Sequence, residues 1–338
     1  MPRRSVVRVG AVVAGALALL ILVPVTPHVV AATRNPRVPV CVAVADSSRG
    51  EFTLKVAQST VDDLIKRTRS YPGRCASYGG SKKVGEGRAY AFTQSDGSVP
   101  ESIGVVMTEA ALRGLPTHPV NEGRWCFDVD GNGTNDPHTE CTGGYESELP
   151  LSDEFLATAD TPFKYALLNW NPMGHMPPGI YDRPHFDVHF YITPNEERLE
   201  IKPGKCGMLV DCDVWEVGKL PLPPAQTPKD YSDFGAVEPG MGNHLMDLTG
   251  PEANGAPFTR TFMYGSHYGR LTFWEPMVTK DYFDRVVSGA EPGGCAPLKL
   301  AEEYAVPGWY PTRYCITHRA NRDEIVTSLE GFVRRGVG

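Results

Sequence analysis

Three histidines and an aspartate fall within fifteen residues of this chain. They lie in Asn169-Trp170-Asn171-Pro172-Met173-Gly174-His175 and in Pro184-His185-Phe186-Asp187-Val188-His189-Phe190-Tyr191. The aromatic residues around them favour burial. Burying imidazole and carboxylate is costly unless something compensates, and a metal ion compensates well. A lone histidine among aromatics is commonly a hydrogen-bonded core residue, and Asp187 alone could serve backbone amides. Several histidines clustered with an acid favour a divalent metal. Imidazole and carboxylate together suit Zn²⁺, Mn²⁺, Fe²⁺ or Ni²⁺, with zinc the default.

The spacing limits which side chains can share an ion. Val188-His189-Phe190-Tyr191-Ile192-Thr193 is β-branched and aromatic, which favours a strand. On a strand, positions 185, 187 and 189 share one face, with neighbours two apart about 6.6 Å distant and those four apart about 13 Å. A straight strand therefore does not let His185 and His189 both reach one ion, although Pro184 can bend the entry. A helix would bring them together as in the HExxH motif, but Asp187 is not where that motif puts its acid. The expected centre has Asp187 or His189 facing the ion and His244, from Gly240-Met241-Gly242-Asn243-His244, completing it from afar. His175, His185 and Glu275, the last in Phe273-Trp274-Glu275-Pro276, are further candidates. His267, after Tyr264-Gly265-Ser266, reads as part of a turn between strands. Asp187, Asn171 or Tyr191 is expected to fix the imidazole tautomers.

A second ion is suggested by Asp128-Val129-Asp130-Gly131-Asn132-Gly133-Thr134-Asn135-Asp136, which sets oxygen donors at alternate positions. Asp128, Asp130, Asn132, Thr134 (through its carbonyl) and Asp136 match the spacing of calcium loops. The bidentate Glu expected at the twelfth place is missing, since Thr139 stands there and Glu140 follows. A solvated Asx/Gly turn is the plainer alternative.

The elements that must position these residues read as β-rich. Thirty prolines and 35 glycines imply many turns. Alternation marks strands at 88–93, 103–108, 189–193 and 270–274. Helical spacing appears in Ser59 to Arg69, in a turn at Ala110 to Arg113, and in Lys280 to Val287. It appears again in Arg322 to Arg335, where Ile325, Leu329 and Phe332 recur every three to four residues. The expected class is α+β and β-rich. It has a mainly antiparallel sheet or barrel-like core, with peripheral helices that include a C-terminal one.

Arg3, Arg4 and Arg8, the apolar run Val9 to Val23, Pro24, Pro27 and the small pair Ala31-Ala32 have the order of a secretory signal peptide. An uncleaved anchor is the alternative, and the short run with its proline break argues against it. Removing 1–32 takes three arginines and no acids, moving the formal charge from −7 to −10. An acidic chain of this kind argues against nucleic acid and anionic lipid as partners, leaving a small molecule or a protein. The eight cysteines suit disulfides in an exported chain, secreted or otherwise extracytoplasmic. They allow 105 pairings. Sequence proximity suggests Cys206–Cys212, Cys126–Cys141 and Cys295–Cys315, leaving Cys41–Cys75. No CxxC pair is present, so zinc-ribbon chemistry is disfavoured. The organisation expected is a signal over 1–32, an N-terminal segment with a helix over 33–83, and a β-rich domain over 84–338 with a Cys-bracketed loop at 126–141.

Several motifs together give a resemblance. They are Ile103-Gly104-Val105, Ala111-Leu112-Arg113-Gly114-Leu115-Pro116, the Trp170 to His175 and Pro184 to Tyr191 blocks, and Gly240 to His244. Tyr264-Gly265, Phe273-Trp274-Glu275-Pro276-Met277 and Tyr310-Pro311-Thr312-Arg313-Tyr314 complete the set. Over about residues 84 to 335 the chain resembles the TTHB-type domain family of bacterial secreted proteins, a domain of unknown function. The resemblance implies an exported scaffold with a metal site and no assigned activity. The chain departs from that pattern at Met176, where a Glu is expected after Gly-His.

Three function classes follow. One is an exported protein whose metal is structural or ligand-binding. Another is a secreted metal-dependent hydrolase or oxygenase-like enzyme with a coordination position left open. The third is a sugar- or protein-binding module using Trp170, Trp215, Trp274 and Trp309. No Gly-x-Ser-x-Gly elbow, phosphate loop or dinucleotide fingerprint is present.

Overall fold

A computed structural model describes residues 35–43 and 50–336; the expected signal at 1–32 lies outside them. The N-terminal part supplies β1 (Arg37–Ala43), β2 (Glu51–Ala57), α1 (Val61–Arg67), β3 (Tyr71–Pro72), β4 (Ser77–Val84), β5 (Gly87–Asp96) and β6 (Val99–Thr108). The middle holds β7 (Tyr145–Pro150), α2 (Asp153–Thr158), β8 (Tyr165–Asn171), β9 (His185–Tyr191), α3 (Asn195–Leu199), β10 (Pro203–Cys206) and α4 (Cys212–Gly218). Then come β11 (Tyr231–Glu238), β12 (Gly242–Asp247), β13 (Arg260–His267), β14 (Arg270–Thr279) and α5 (Lys280–Ser288). The chain closes with β15 (Gly294–Pro297), β16 (Gly308–Tyr310), β17 (Arg313–Arg319), β18 (Glu324–Glu330) and β19 (Val333–Arg335).

A seven-stranded sheet runs β11-β12-β13-β14-β9-β8-β7, and a six-stranded sheet runs β15-β17-β18-β6-β5-β4. Their strand pairs are antiparallel. Alternate residues of the two sheets meet in one apolar core. Ala166, Leu168, Trp170, Phe186, Val188, Phe190 and Trp274 come from the larger sheet, and Ala91, Val105, Ile316, Ile325 and Leu329 from the smaller. Each buried side chain of this size contributes about 1.5–3 kcal/mol relative to exposure. The β-rich class is as expected, but neither sheet closes into a barrel.

The expected C-terminal helix at 322–335 is replaced by strands. Ile325 and Leu329 lie four apart, a spacing that also keeps them on one face of a strand, where the period is two. Ile325-Val326-Thr327 is β-branched and fits between β17 and β6, where β18 is buried on both faces. The other helix readings hold: α1 falls within 59–69, a 3₁₀ turn spans Glu109–Leu112, and α5 covers 280–288. Thr279 caps α5 by accepting from the Tyr282 amide.

The described residues from Pro36 onward form one compact unit, with the expected boundary near residue 83 inside it. That boundary falls inside β4, which pairs with β5. The disulfides are Cys41–Cys75, Cys126–Cys141, Cys206–Cys212 and Cys295–Cys315. This pairing suggests an oxidising, extracytoplasmic environment. Among the described residues no helix is long and apolar enough to cross a membrane.

Candidate metal centre

The histidine block is β9, a strand buried along its whole length between β14 and β8. Phe186, Val188 and Phe190 enter the main core. His185, Asp187 and His189 alternate with them and face the other side of the sheet. That side carries two smaller apolar clusters. Tyr165, Leu167, Tyr191, Met241 and Phe273 form one, and Tyr181, Phe258, Met263 and Met277 the other. The polar side chains are thus enclosed by apolar packing on a face that an ordinary sheet would leave to solvent.

The geometry divides the six predicted ligands into two trios. In each, one nitrogen or oxygen per residue lies within 4.8 Å of the others. The first trio is His175, His185 and Asp187. His185 Nε2 is 3.0 Å from Asp187 Oδ1, and His175 Nε2 is 3.5 Å from Asp187 Oδ2. His185 Nδ1 lies 2.6 Å from the Arg183 carbonyl, and His175 Nδ1 lies 2.7 Å from the Met176 carbonyl. A carbonyl only accepts, so both rings carry hydrogen on Nδ1 and turn Nε2 to the carboxylate. Asn171 Nδ2 donates to Asp187 Oδ2 at 2.6 Å and fixes the acid. His175 arrives on the loop between β8 and β9. That loop doubles back at Gly174, where φ is +73° and a Cβ would meet the Tyr181 carbonyl at 2.1 Å.

The second trio is His189, His244 and Glu275. The register that sets Trp274 against Phe190 and Met277 against Asp187 puts Glu275 across from His189. His189 Nε2 is 3.3 Å from Glu275 Oε1, and His244 Nε2 is 3.9 Å from Oε2. His244 belongs to β12, one strand beyond β13. The residue opposite it on β13 is Gly265, where a Cβ would lie 2.0 Å from the Phe273 ring. The Phe273 ring takes the space a side chain would fill there and packs against both His189 and His244. His244 Nδ1 lies 3.2 Å from the Ala236 carbonyl, again leaving Nε2 toward the acid.

Several of these atoms are buried without a hydrogen-bond partner: His185 Nε2, Asp187 Oδ1, both ring nitrogens of His189, and Glu275 Oε2. Such groups are normally satisfied, because each orphan costs about 1–3 kcal/mol. Burial opposes ionisation of Asp187, but His185 and His175 more than offset it and hold its carboxyl well below the usual range. Burial likewise opposes the charge on His175, yet its hydrogen bond and attraction to Asp187 push its pKa up to about 9. In the second trio burial prevails, although the charge of Asp187 opposes it at His189. Burial raises Glu275 well above the ordinary carboxyl range, with the charges of Asp187 and Glu238 adding to it, and pushes His189 down to about 3. A divalent cation would stabilise carboxylate and unprotonated imidazole together.

The tautomers are set by backbone carbonyls rather than by Asp187, Asn171 or Tyr191; the Tyr191 hydroxyl is itself unpaired. Met176 is exposed and brings no carboxylate to the first trio. His267 belongs to neither trio. Sequence reasoning took Tyr264-Gly265-Ser266-His267 as a turn, whereas Gly265 lies inside β13. It also discounted Glu140. Asp128, Asp130 and Glu140 bring carboxylate oxygens within 4.8 Å of one another. Glu140 accepts from the Val129, Asp130 and Asp136 amides, and Asp128 from Gly131, Asn132 and Gly133. Among the tryptophans offered as a binding platform, Trp170 and Trp274 are core residues. A cavity of about 720 Å³ borders Tyr71, Phe92 and Arg319 on the outer side of the six-stranded sheet and contains no residue of either trio.

No family model, curated protein or solved structure matches the chain. The motif resemblance therefore transfers no residue role, and function is argued from geometry.

Proposed function

We propose that this chain is an exported protein that binds a divalent transition metal, zinc by its donor set, through His189, His244 and Glu275. The observation that carries the reading is the second trio itself, two Nε2 atoms and one buried carboxylate converging without hydrogen-bond partners for Glu275 Oε2 or His189 Nε2. All three ligands sit on strands of one sheet, so the centre is held rigidly. Metal analysis of the untagged mature protein tests it. His244→Ala is expected to lose one ion per chain. Wild-type protein without a transition metal, or His244→Ala with undiminished content, overturns the reading.

A second reading, a metal-dependent enzyme, is favoured by the ligand count. Two histidines and one acid leave coordination positions for water and substrate, as in catalytic centres. His244 is the most exposed side chain of this trio at 12%, so the open positions suit a small reactant such as water or dioxygen. The Asp-rich loop is a separate centre in this reading, with hard oxygens suited to Ca²⁺.

A further inference from the structure

We infer a second, independent transition-metal site at His175, His185 and Asp187, whose ion fastens the loop over residues 172–184 to the sheet. The inference does not rest on a metal at His189, His244 and Glu275.

Without an ion, lone pairs face lone pairs at this trio. Both Nδ1 atoms are committed to carbonyls, at 2.6 Å for His185 and 2.7 Å for His175. A neutral His185 ring then presents its Nε2 lone pair to Asp187 Oδ1, which has only lone pairs to return. At 3.0 Å, with His185 fully buried, that approach is repulsive unless a cation lies between them. His185 Nε2 and Asp187 Oδ1 are unpaired although they are close, as expected of two donors to a third centre. The carbonyls and Asn171 Nδ2 then act as the outer partners that orient metal ligands and raise their basicity. A proton on His185 Nε2 is the competing occupant, and it would bury an imidazolium completely.

The ligands also have a mechanical logic. His185 and Asp187 are fixed on β9, while His175 is carried by a 13-residue connection between adjacent antiparallel strands. Such hairpin connections usually span two to five residues. The backbone bonds inside this loop run from the His175 amide to the Tyr181 carbonyl and from Ile180 and Tyr181 to Pro177, with Gly174 to Asn171 and Lys280 to Pro184 at its two ends. An ion joining His175 to β9 would close it, with Tyr181 seated on Phe258 beneath. The two trios are separate centres because Asp187 and His189 are successive residues on one face, about 6.6 Å apart. The N₂O donor set takes the same metals as the other trio, Zn²⁺ foremost.

The test is metal content and loop protection in the full mature chain, purified untagged and equilibrated with Zn²⁺. His175 is 30% exposed, so His175→Ala is the variant of choice over the fully buried His185. Wild type is expected to carry two ions, His175→Ala one, His244→Ala one, and the double variant none. Loss of the first ion should also speed proteolytic cleavage within 173–184 at least tenfold, and chelation of wild type should do the same. Wild-type metal content in His175→Ala, or an emptied site whose loop is cleaved no faster, overturns the inference. A single wild-type ion that survives His244→Ala and is lost in His175→Ala would sink the proposed function and support this site.

Discussion

Single residues decide whether imidazoles on different strands converge. His244 and Glu275 are separated by β13, and adjacent strands lie about 4.8 Å apart. Gly265 lets the Phe273 ring seat between the two imidazoles, packed on both His189 and His244, because any side chain there would collide with it. Gly265→Ala is therefore expected to destabilise the fold by about 1–3 kcal/mol through overpacking. It should also release the ion held by His189, His244 and Glu275 while leaving the ion at His175 in place. Thermal melts and metal analysis of the same preparation read both effects. Normal stability with normal metal content would remove Gly265 from the account. At the first trio the residue-scale device is different: carbonyls of Arg183 and Met176 choose the tautomer.

Elements set which residues become neighbours. β9 supplies apolar side chains to the main core on one face and ligands on the other, so its seven residues carry both stability and chemistry. The block was legible in the sequence because period two is local. The partners were not, because the registers of β14 and β12 are fixed by neighbours far along the chain. The Cys126–Cys141 loop is an element of another kind. The disulfide closes it, and Glu140 gathers its amides from below. If Ca²⁺ occupies it, millimolar calcium should raise the melting temperature of wild type by RT ln(1 + [Ca²⁺]/Kd) divided by the unfolding entropy, several degrees for a micromolar site. Asp130→Ala should abolish that rise. A wild-type melt indifferent to calcium would leave the loop a hydrogen-bonded turn.

At the scale of the whole molecule, two sheets share one core and four disulfides tie loops and edges to it. Its acid sensitivity has an identifiable contributor outside both trios. Burial, helped by Arg270, pushes His267 from 6.5 down to about 4. A histidine depressed in the fold binds its proton more readily when unfolded. Its contribution is complete above the unfolded value, near 6.5, and is lost as pH falls from there toward 4. Metal-free protein should therefore lose stability across that window. His267→Gln should lose less, read from denaturant midpoints at pH 7 and pH 4.5. Equal losses in both proteins would assign the sensitivity elsewhere.

The sequence by itself determined what is local. Alternation marked β5, β6, β9 and β14, chain proximity suggested all four disulfide pairs, and the spacing of His185 and His189 showed that a straight strand could not give both to one ion. Tertiary structure decided the rest. It assigned Asp187 to His175 and His185 and gave His189 to His244 and Glu275. It also turned the four-residue spacing of Ile325 and Leu329 into a central strand. The reason is common to these outcomes. A spacing of four satisfies helix and strand alike, and a histidine on one strand cannot show which acid will stand opposite it. Only sheet order and register, chosen by burial summed over the whole core, carry that information.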